Sequence, residues 1–384
     1  MPGTAGRGPS RRQLIGSFAV GGGLLAAGGG AAWWLLRGQD GPADRSWAAE
    51  PLAEYEAETV PRPLWGPLEV ADPDAPAPLL VRDLVVVTGK GGGLRAMDVR
   101  DGRRRWTAPG SAVAASAVAP TEDIVCTADR QGALLALAAE DGQPRWSAAD
   151  ADAAVRLAAD ADAVYLLTRT GELRAISLTS RRPVWTVPAP VDTARQPPAV
   201  AVADGRLVVF GGDGRVAALD TASGDVRWGP RKQGRRALRP AIADGTVYLG
   251  GDSLTALELA GGEPKWAHPS GDGTTGWGPP TVHGKLLYAV DGELCARELG
   301  DGSDAWTVPV GSAKPPRDAP VVQRNSVWVV QEDRGTSSVR TVDTRTGAGA
   351  WTHTTSDDVR WLVAAADNRV FLQHQGTLIA MPVF

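Results

Sequence analysis

The sequence has few of the side chains from which metal and catalytic sites are built. Its 384 residues include two cysteines and four histidines. It contains no C-x-x-C-H haem motif, no G-x-S-x-G motif and no P-loop. The histidines, His268, His283, His353 and His374, do not have the spacing of zinc ligands. We therefore predict no catalytic residues, no metal ligands and no cofactor.

The chain also lacks a charge excess of either sign. Its formal net charge is −4 and its pI is about 5.7, whereas nucleic-acid binding requires a basic surface. No nucleic-acid partner is expected. Long helical patterns are missing beyond residue 38, and 47 glycines and 29 prolines interrupt short apolar runs. This combination predicts an all-β protein with many turns.

A short motif repeats along the chain with a period of about 40 residues. In seven places a small residue precedes a Trp by ten positions. These pairs are Ala96/Trp106, Ala136/Trp146, Ala175/Trp185, Ala218/Trp228, Ala256/Trp266, Ala296/Trp306 and Thr341/Trp351. Such a repeat predicts one array of similar units rather than several separate cores.

Each repeat is predicted to form a four-stranded antiparallel sheet. The fourth repeat contains AVAVADG, RLVVFGGDG, RVAALD, TASGD and VRW, in which strands alternate with turns. The constant ten-residue spacing indicates a hairpin of the third and fourth strands, because turn length sets register. A Gly four positions before most of these Trp residues predicts a turn with positive φ. Arg181 replaces that Gly in one repeat, and a different turn is expected there.

The repeat resembles the A-x-D/N-x-x-T/S-G-x-x-x-W unit of the PQQ-binding-like, or quinoprotein-type, β-propeller family. The segment ALDTASGDVRW at residues 218–228 matches throughout, and residues 341–351 match with Thr in place of Ala. The resemblance covers about residues 61–384 and implies a ring of radial blades. It also implies adjacent cysteines and Ca²⁺ ligands in the dehydrogenases of the family. Because this chain has no adjacent cysteines, the resemblance favours the non-catalytic branch.

Eight blades are predicted once the two incomplete ends are combined. Residues 360–384 supply three strands with an Ala380 that no Trp follows, and the segment around Trp65 supplies a fourth strand. Pairing them closes the ring and removes two open sheet edges. Cys126 and Cys295 would then lie on opposite sides of the ring, too far apart to form a disulfide.

The repeated Trp is interpreted as a packing residue between neighbouring blades, because identical spacing in every repeat is what packing requires. This set comprises Trp65, Trp106, Trp146, Trp185, Trp228, Trp266, Trp306 and Trp351.

The N-terminus is predicted to direct the protein out of the cytoplasm. Residues 10–15, SRRQLI, resemble a twin-arginine export motif and precede an uncharged stretch of 23 residues, Leu14 to Leu36. We assign residues 1–38 to a signal or membrane anchor, residues 39–60 to a linker and residues 61–384 to the propeller. Retention as an anchor and cleavage both remain open. The propeller would lie outside the membrane.

Candidate binding residues are those that depart from the repeat. Two additional tryptophans, Trp277 and Trp361, stand at the start of predicted first strands, near the expected central channel, and one dense basic run lies in the variable connection before the fifth repeat. The basic run comprises Arg231, Lys232, Arg235, Arg236 and Arg239. These residues form the candidate ligand or partner site, on the face that carries the variable connections between repeats.

The expected function is that of a non-catalytic binding, scaffold or sensor module in the bacterial cell envelope. Its partner would be a protein or another envelope ligand, with the membrane contacted through the N-terminal segment, and a monomer is expected. The alternative is an enzyme resembling the PQQ-dependent dehydrogenases.

Overall fold

The computed structural model describes residues 58–110, 116–271, 276–310, 316–333, 336–357 and 359–384. Within these ranges the chain forms 32 β-strands arranged in eight four-stranded antiparallel sheets. One short 3-10 helix, Ala149–Ala151, joins the second and third sheets. The predicted all-β, eight-bladed propeller is therefore confirmed.

The strands are numbered in chain order, and β1 (Trp65–Glu69) belongs to the last blade. Blade 1 contains β2–β5 (Leu79–Val81, Leu84–Thr88, Leu94–Asp98, Arg104–Ala108), blade 2 contains β6–β9 (Val118–Thr121, Ile124–Ala128, Leu134–Ala138, Pro144–Ala148), and blade 3 contains β10–β13 (Ala153–Ala159, Ala163–Thr168, Glu172–Ser177, Pro183–Pro188). Blade 4 contains β14–β17 (Ala199–Ala203, Arg206–Phe210, Arg215–Asp220, Val226–Lys232), and blade 5 contains β18–β21 (Ala241–Ala243, Thr246–Leu249, Ser253–Glu258, Pro264–Pro269). Blade 6 contains β22–β25 (Thr281–His283, Leu286–Asp291, Glu293–Glu298, Asp304–Pro309), and blade 7 contains β26–β29 (Val321–Gln323, Ser326–Asp333, Thr336–Asp343, Gly349–Thr355). Blade 8 contains β30–β32 (Leu362–Ala366, Arg369–His374, Thr377–Pro382) and β1.

The blades form a closed ring around a central axis. The first strand of every blade contacts the first strands of both neighbouring blades, and β30 of blade 8 contacts β2 of blade 1. Because strands alternate in direction within each sheet, blade-to-blade connections and the turns between second and third strands share one face of the ring. We call this the connection face. The opposite face, which carries the other turns, is the turn face.

The hydrophobic core is divided into eight clusters, one at each interface between neighbouring blades. At the interface of blades 3 and 4, Tyr165 and Trp185 pack with Leu207 and Val209. Second strands such as β3 and β11 are buried along their whole length, whereas the outermost strands are largely exposed. Burial on both faces of each sheet explains the β-branched runs in the second strands.

The Ala–Trp spacing places the two residues opposite each other on the third and fourth strands. All seven pairs are cross-strand partners, from Ala96↔Trp106 to Thr341↔Trp351. In blade 8, Trp65 of β1 pairs with Ala380 of β32. The two ends of the chain thus rebuild the same pair, and the predicted closure is confirmed.

Most blade tryptophans also reach into the next blade. Trp106 Nε1 donates to the carbonyl of Ala139 in blade 2 at 2.8 Å. Equivalent bonds are made by Trp65, Trp185, Trp228, Trp266 and Trp306. Trp146 and Trp351 lie in the clusters that their blades share with the next one. These contacts are those of residues that pack between neighbouring blades.

The hairpin turns confirm one expectation and correct another. The Gly four positions before the Trp has positive φ in six repeats, from 70° to 79°. Arg181 adopts the same conformation, with φ of 61°, and its N–H donates to Ser177 O at 2.9 Å, as Gly224 N–H does to Asp220 O. The expectation of a different turn at Arg181 was therefore wrong, because this turn tolerates a left-handed Arg.

Two further expectations have clear outcomes. Cys126 and Cys295 are free and buried, in blades 2 and 6 respectively. The predicted signal or anchor at residues 1–38, and all but the last three residues of the predicted linker at 39–60, lie outside the described residues. Among the residues that are described, no helix is long and apolar enough to cross a membrane.

Candidate functional site

An axial cavity of about 490 Å³ runs between the first strands of the blades. Every blade contributes to its wall. Representative lining residues, in blade order, are Ala77, Pro120, Ala159, Ala201, Ala241, Thr281, Val321 and Val363. Small or apolar side chains predominate because the first strands converge on the axis and leave little room for large ones. The cavity is therefore a consequence of ring closure.

A group of charged residues lies where the cavity meets the connection face. We call it the mouth cluster, and it comprises Arg236, Arg239, Arg317, Asp318 and Arg360. Arg239, Arg317 and Asp318 line the cavity itself. The residues of the mouth cluster stand two to five positions before the first strands of blades 5, 7 and 8, which places them at the same end of the axis.

The mouth cluster is held by few direct contacts. Arg360 Nη1 lies 3.3 Å from Asp318 Oδ2, and Arg236 Nη2 donates to the carbonyl of Pro316 at 3.4 Å. Among the described residues, no atom accepts a hydrogen bond from the guanidinium of Arg239 or of Arg317. Both side chains lie close enough to Asp318 to be attracted to its carboxylate.

Burial perturbs the titration of the mouth cluster. Loss of solvation lowers the pKa of Arg239, and attraction to Asp318 opposes this change. Loss of solvation also lowers the pKa of Arg236, and repulsion by Arg317 adds to the effect. Loss of solvation raises the pKa of Asp318, against the attraction of Arg360. Each direction indicates a charge that has given up part of its hydration.

The opposite end of the cavity is acidic. Asp160, Asp162 and Asp204, in the turns that follow the first strands of blades 3 and 4, line it there. Asp160 Oδ2 accepts a hydrogen bond from the Tyr165 hydroxyl at 2.6 Å, and its Oδ1 accepts the backbone N–H of Asp162 and Ala163. The cavity consequently has a positive end at the connection face and a negative end at the turn face.

The structure divides the basic run identified in the sequence. Strand β17 continues to Lys232, so Arg231 and Lys232 belong to a strand and not to a connection. Arg231 lies over the ring of Trp228 at 5.2 Å, and Lys232 Nζ donates to Asp213 O at 2.6 Å. Arg235 is 75% exposed and lies 3.9 Å from Asp252. Arg236 and Arg239 belong instead to the mouth cluster.

Trp277 lies in the connection from blade 5 to blade 6 and is buried in the cluster between them. Its backbone forms an isolated bridge with Gly251, and the Arg297 guanidinium lies 5.2 Å from the centre of its ring. Trp277 does not line the axial cavity. Its surroundings are those of a packing residue.

Trp361 is also buried, between blades 7 and 8. Its ring stacks on His374 with centroids 4.4 Å apart and meets the edge of His353 at 5.1 Å. It contributes to a second cavity, of about 420 Å³, together with Glu69 and Lys90. The structure therefore places Trp361, Trp277 and the basic run in three different environments and does not bring them together in one pocket.

Sequence reasoning missed Arg317, Asp318 and Arg360. They come from two connections that are remote in sequence from Arg239, and only the closed ring brings them together. A signal existed in the position of each residue, a few places before a first strand, as in the Arg239-Pro240 and Asp318-Ala319-Pro320 segments. The described residues contain no group of three or more His, Cys, Asp or Glu side chains placed to hold a metal ion.

The chain matches the profile of a known protein family. The profile of the family described as outer membrane protein assembly factor BamB matches residues 58–151, 110–308 and 250–382. A curated protein of that name from Bordetella pertussis is 28% identical in an alignment of 184 residues, which covers 43% of this chain and 47% of the relative. The match thus spans about half the length of this relative.

Solved structures show the same fold. The crystal structure of BamB from Moraxella catarrhalis matches with a TM-score of 0.60 at 18% identity, over 82% of this chain and 95% of that chain. The computationally designed Ika8 protein gives 0.69 at 17% identity, over 84% and 100%. A quinohemoprotein alcohol dehydrogenase from Pseudomonas putida HK5 gives 0.54 at 12% identity, over 84% and 76%.

Proposed function

Because the chain belongs to the family of PQQ-like β-propellers described as outer membrane protein assembly factor BamB, we propose that it is a non-catalytic scaffold of the bacterial cell envelope. Its ring would hold protein partners during the assembly of envelope proteins. The observation that carries this proposal is the family match, which extends across all eight blades. The name of the Bordetella pertussis relative supports the same role.

The connection face is the proposed docking surface. Its loops differ in length from blade to blade, whereas the hairpins are constrained by the Ala–Trp register. Loops can therefore vary in sequence and length without disturbing the core. The exposed cations Lys232 and Arg235 lie on this face and would attract an acidic partner surface.

The role requires export, which we assign to residues 1–38. Replacing Arg11 and Arg12 with Lys is expected to retain the protein in the cytoplasm, because the export machinery recognises the arginine pair. Cell fractionation measures this. Unchanged recovery from the envelope would contradict the twin-arginine assignment.

Site-specific photo-crosslinking tests the docking surface. A crosslinking amino acid at position 232 or 235, on the connection face, is expected to trap a defined envelope protein in living cells. The same amino acid at Lys285, an exposed turn-face position, is the matched control. The double variant Lys232→Gln/Arg235→Gln is expected to lower the affinity of this complex and to make the remaining binding less sensitive to salt. Equal crosslinking from both faces would contradict the proposed surface.

Gene deletion tests the role itself. Loss of the protein is expected to lower the abundance of a subset of envelope proteins, measured by quantitative proteomics, and expression of the wild-type chain should restore them. An unchanged envelope proteome would contradict the scaffold role.

The alternative, an enzyme resembling PQQ-dependent dehydrogenases, makes a different prediction. Titration with PQQ and Ca²⁺ would then raise the melting temperature by mass action, whereas a scaffold of the proposed type should not respond.

A further inference from the structure

The axial cavity has the dimensions and the lining of a small-molecule site. Its volume of about 490 Å³ lies within the range of about 300 to 1,000 Å³ that is usual for ligand pockets. Its middle section is apolar, with wall residues that include Ala201, Ile242, Val321, Trp328 and Leu362. Such a surface favours an apolar molecule over water.

The charged groups of the cavity are confined to its two ends. Arg239 and Arg317 line the connection-face end, and no described residue accepts a hydrogen bond from either guanidinium. Arg239 is partly buried and Arg317 is exposed at the mouth of the cavity, and the planar donors of a guanidinium match a carboxylate group. Among the described residues, Arg236 interacts with the acids Asp318 and Glu332, and Asp318 is also attracted to Arg239, Arg317 and Arg360. This end therefore favours an anion.

The acidic end limits the ligand to a single anionic group. Asp160, Asp162 and Asp204 line the cavity near the turn face. A second carboxylate at the far end of a ligand would lie beside these aspartates and be repelled by them. A ligand with one anionic end and an apolar body is compatible with the basic end, the acidic end and the apolar middle section of the cavity.

We propose that the axial cavity binds a small organic monocarboxylate. The carboxylate pairs with Arg239 and Arg317, and the apolar body lies between the first strands. The proposal goes beyond the scaffold role, because the ligand lies in the cavity inside the ring whereas the partner contacts are proposed for the exposed residues Lys232 and Arg235 outside it.

Isothermal titration calorimetry on the full-length chain tests this site with three compounds. The first is 4-phenylbutyrate, which has both the carboxylate and an apolar body. The second is 4-phenylbutan-1-ol, which keeps the body without the charge, and the third is acetate, which keeps the charge without the body. The acid is expected to bind at least about tenfold more tightly than either control compound, and less tightly at high salt. Absence of saturable binding by the acid, or equal binding of acid and alcohol, would overturn the proposal.

Variants assign the binding to the mouth cluster. Arg239→Gln and Arg317→Gln are each expected to weaken binding of 4-phenylbutyrate by about tenfold or more. Arg145→Gln, exposed on the outermost strand of blade 2 and outside the cavity, should leave the affinity unchanged. Ala201→Leu fills the apolar section and should also weaken binding. Circular dichroism confirms that each variant is folded, and the exposed position of Arg317 makes its replacement the safer of the two. An equal loss in Arg145→Gln would overturn the proposal.

Discussion

Single residues of the repeat serve two neighbouring blades at once. Trp185 pairs with Ala175 inside its own sheet, and its Nε1 donates to Thr221 O of blade 4 at 2.8 Å. Its ring also lies 6.0 Å from that of Tyr165. A large side chain in this position fills the space that the small Ala leaves, and its hydrogen bond joins one blade to the next. Register, packing and ring assembly therefore depend on the same residue.

Replacing Trp185 with Ala is expected to reduce the free energy of unfolding by about 3 to 5 kcal/mol, because it leaves a large cavity between blades 3 and 4. The neighbouring Val184 is 53% exposed, and Val184→Ala should change the stability by less than about 0.5 kcal/mol. Urea unfolding followed by circular dichroism measures both. A similar small loss in the two variants would show that the Trp does not support the interface.

Two histidines are expected to make the stability pH-dependent. Burial lowers the pKa of His283, and burial together with repulsion by His374 lowers the pKa of His353. The unfolded chain then binds more protons than the folded chain, so stability falls as the pH drops below about 6.5. Urea unfolding between pH 8 and pH 5 should show this loss, and the double variant His283→Gln/His353→Gln should show less of it. Parallel pH profiles for the two proteins would contradict the assignment.

At the scale of elements, the strands and hairpins could be predicted because each is specified by a local pattern. Apolar runs identify second strands, and a fixed distance between Ala and Trp identifies the hairpin that pairs them. The error at Arg181 arose because glycine was treated as necessary for the left-handed position. The end of β17 was placed too early, since Arg231 and Lys232 carry a charge pattern that is typical of loops. Both errors concern the residues that terminate an element.

Two glycines in different turns of the turn face allow backbone strain and side-chain contact to be tested separately. Gly142 joins the third and fourth strands of blade 2, and Gly245 joins the first and second strands of blade 5. Gly142 has φ of +71°, and a Cβ there would lie 2.6 Å from the Trp106 ring. Gly245 has φ of +65° with no atom within 4 Å of such a Cβ. Gly245→Ala should therefore cost only the backbone strain, roughly 1 to 2 kcal/mol, whereas Gly142→Ala should cost clearly more. Thermal unfolding of the two variants provides the comparison, and equal losses would show that contact with the Trp is unimportant.

At the scale of the whole molecule, the ring could be predicted but the charged site within it could not. Closure followed from two incomplete repeats that complement each other, which is visible in the sequence alone. The mouth cluster combines Arg236 and Arg239 with Arg317, Asp318 and Arg360 from distant connections, so no local spacing indicates that they are neighbours. Trp277 and Trp361 departed from the repeat, but inter-blade packing accounts for their burial. Departure from a repeat is thus a weaker guide to a site than position around the axis.

Closure of the ring depends on β1, and a deletion can test this. Trp65 pairs with Ala380, donates from Nε1 to Val99 O of blade 1 at 2.9 Å and lies 5.8 Å from the ring of Phe371. Removing residues 61–70 would leave the edge of β32 unpaired and open a gap between blades 8 and 1. We expect a lower melting temperature, a less cooperative transition and a tendency to associate through the exposed edge. Removing residues 39–48 deletes the same number of residues from the predicted linker and should leave the transition unchanged. Because both deletions shorten the chain equally, coincident melting curves would mean that the ring does not rely on its N-terminal strand.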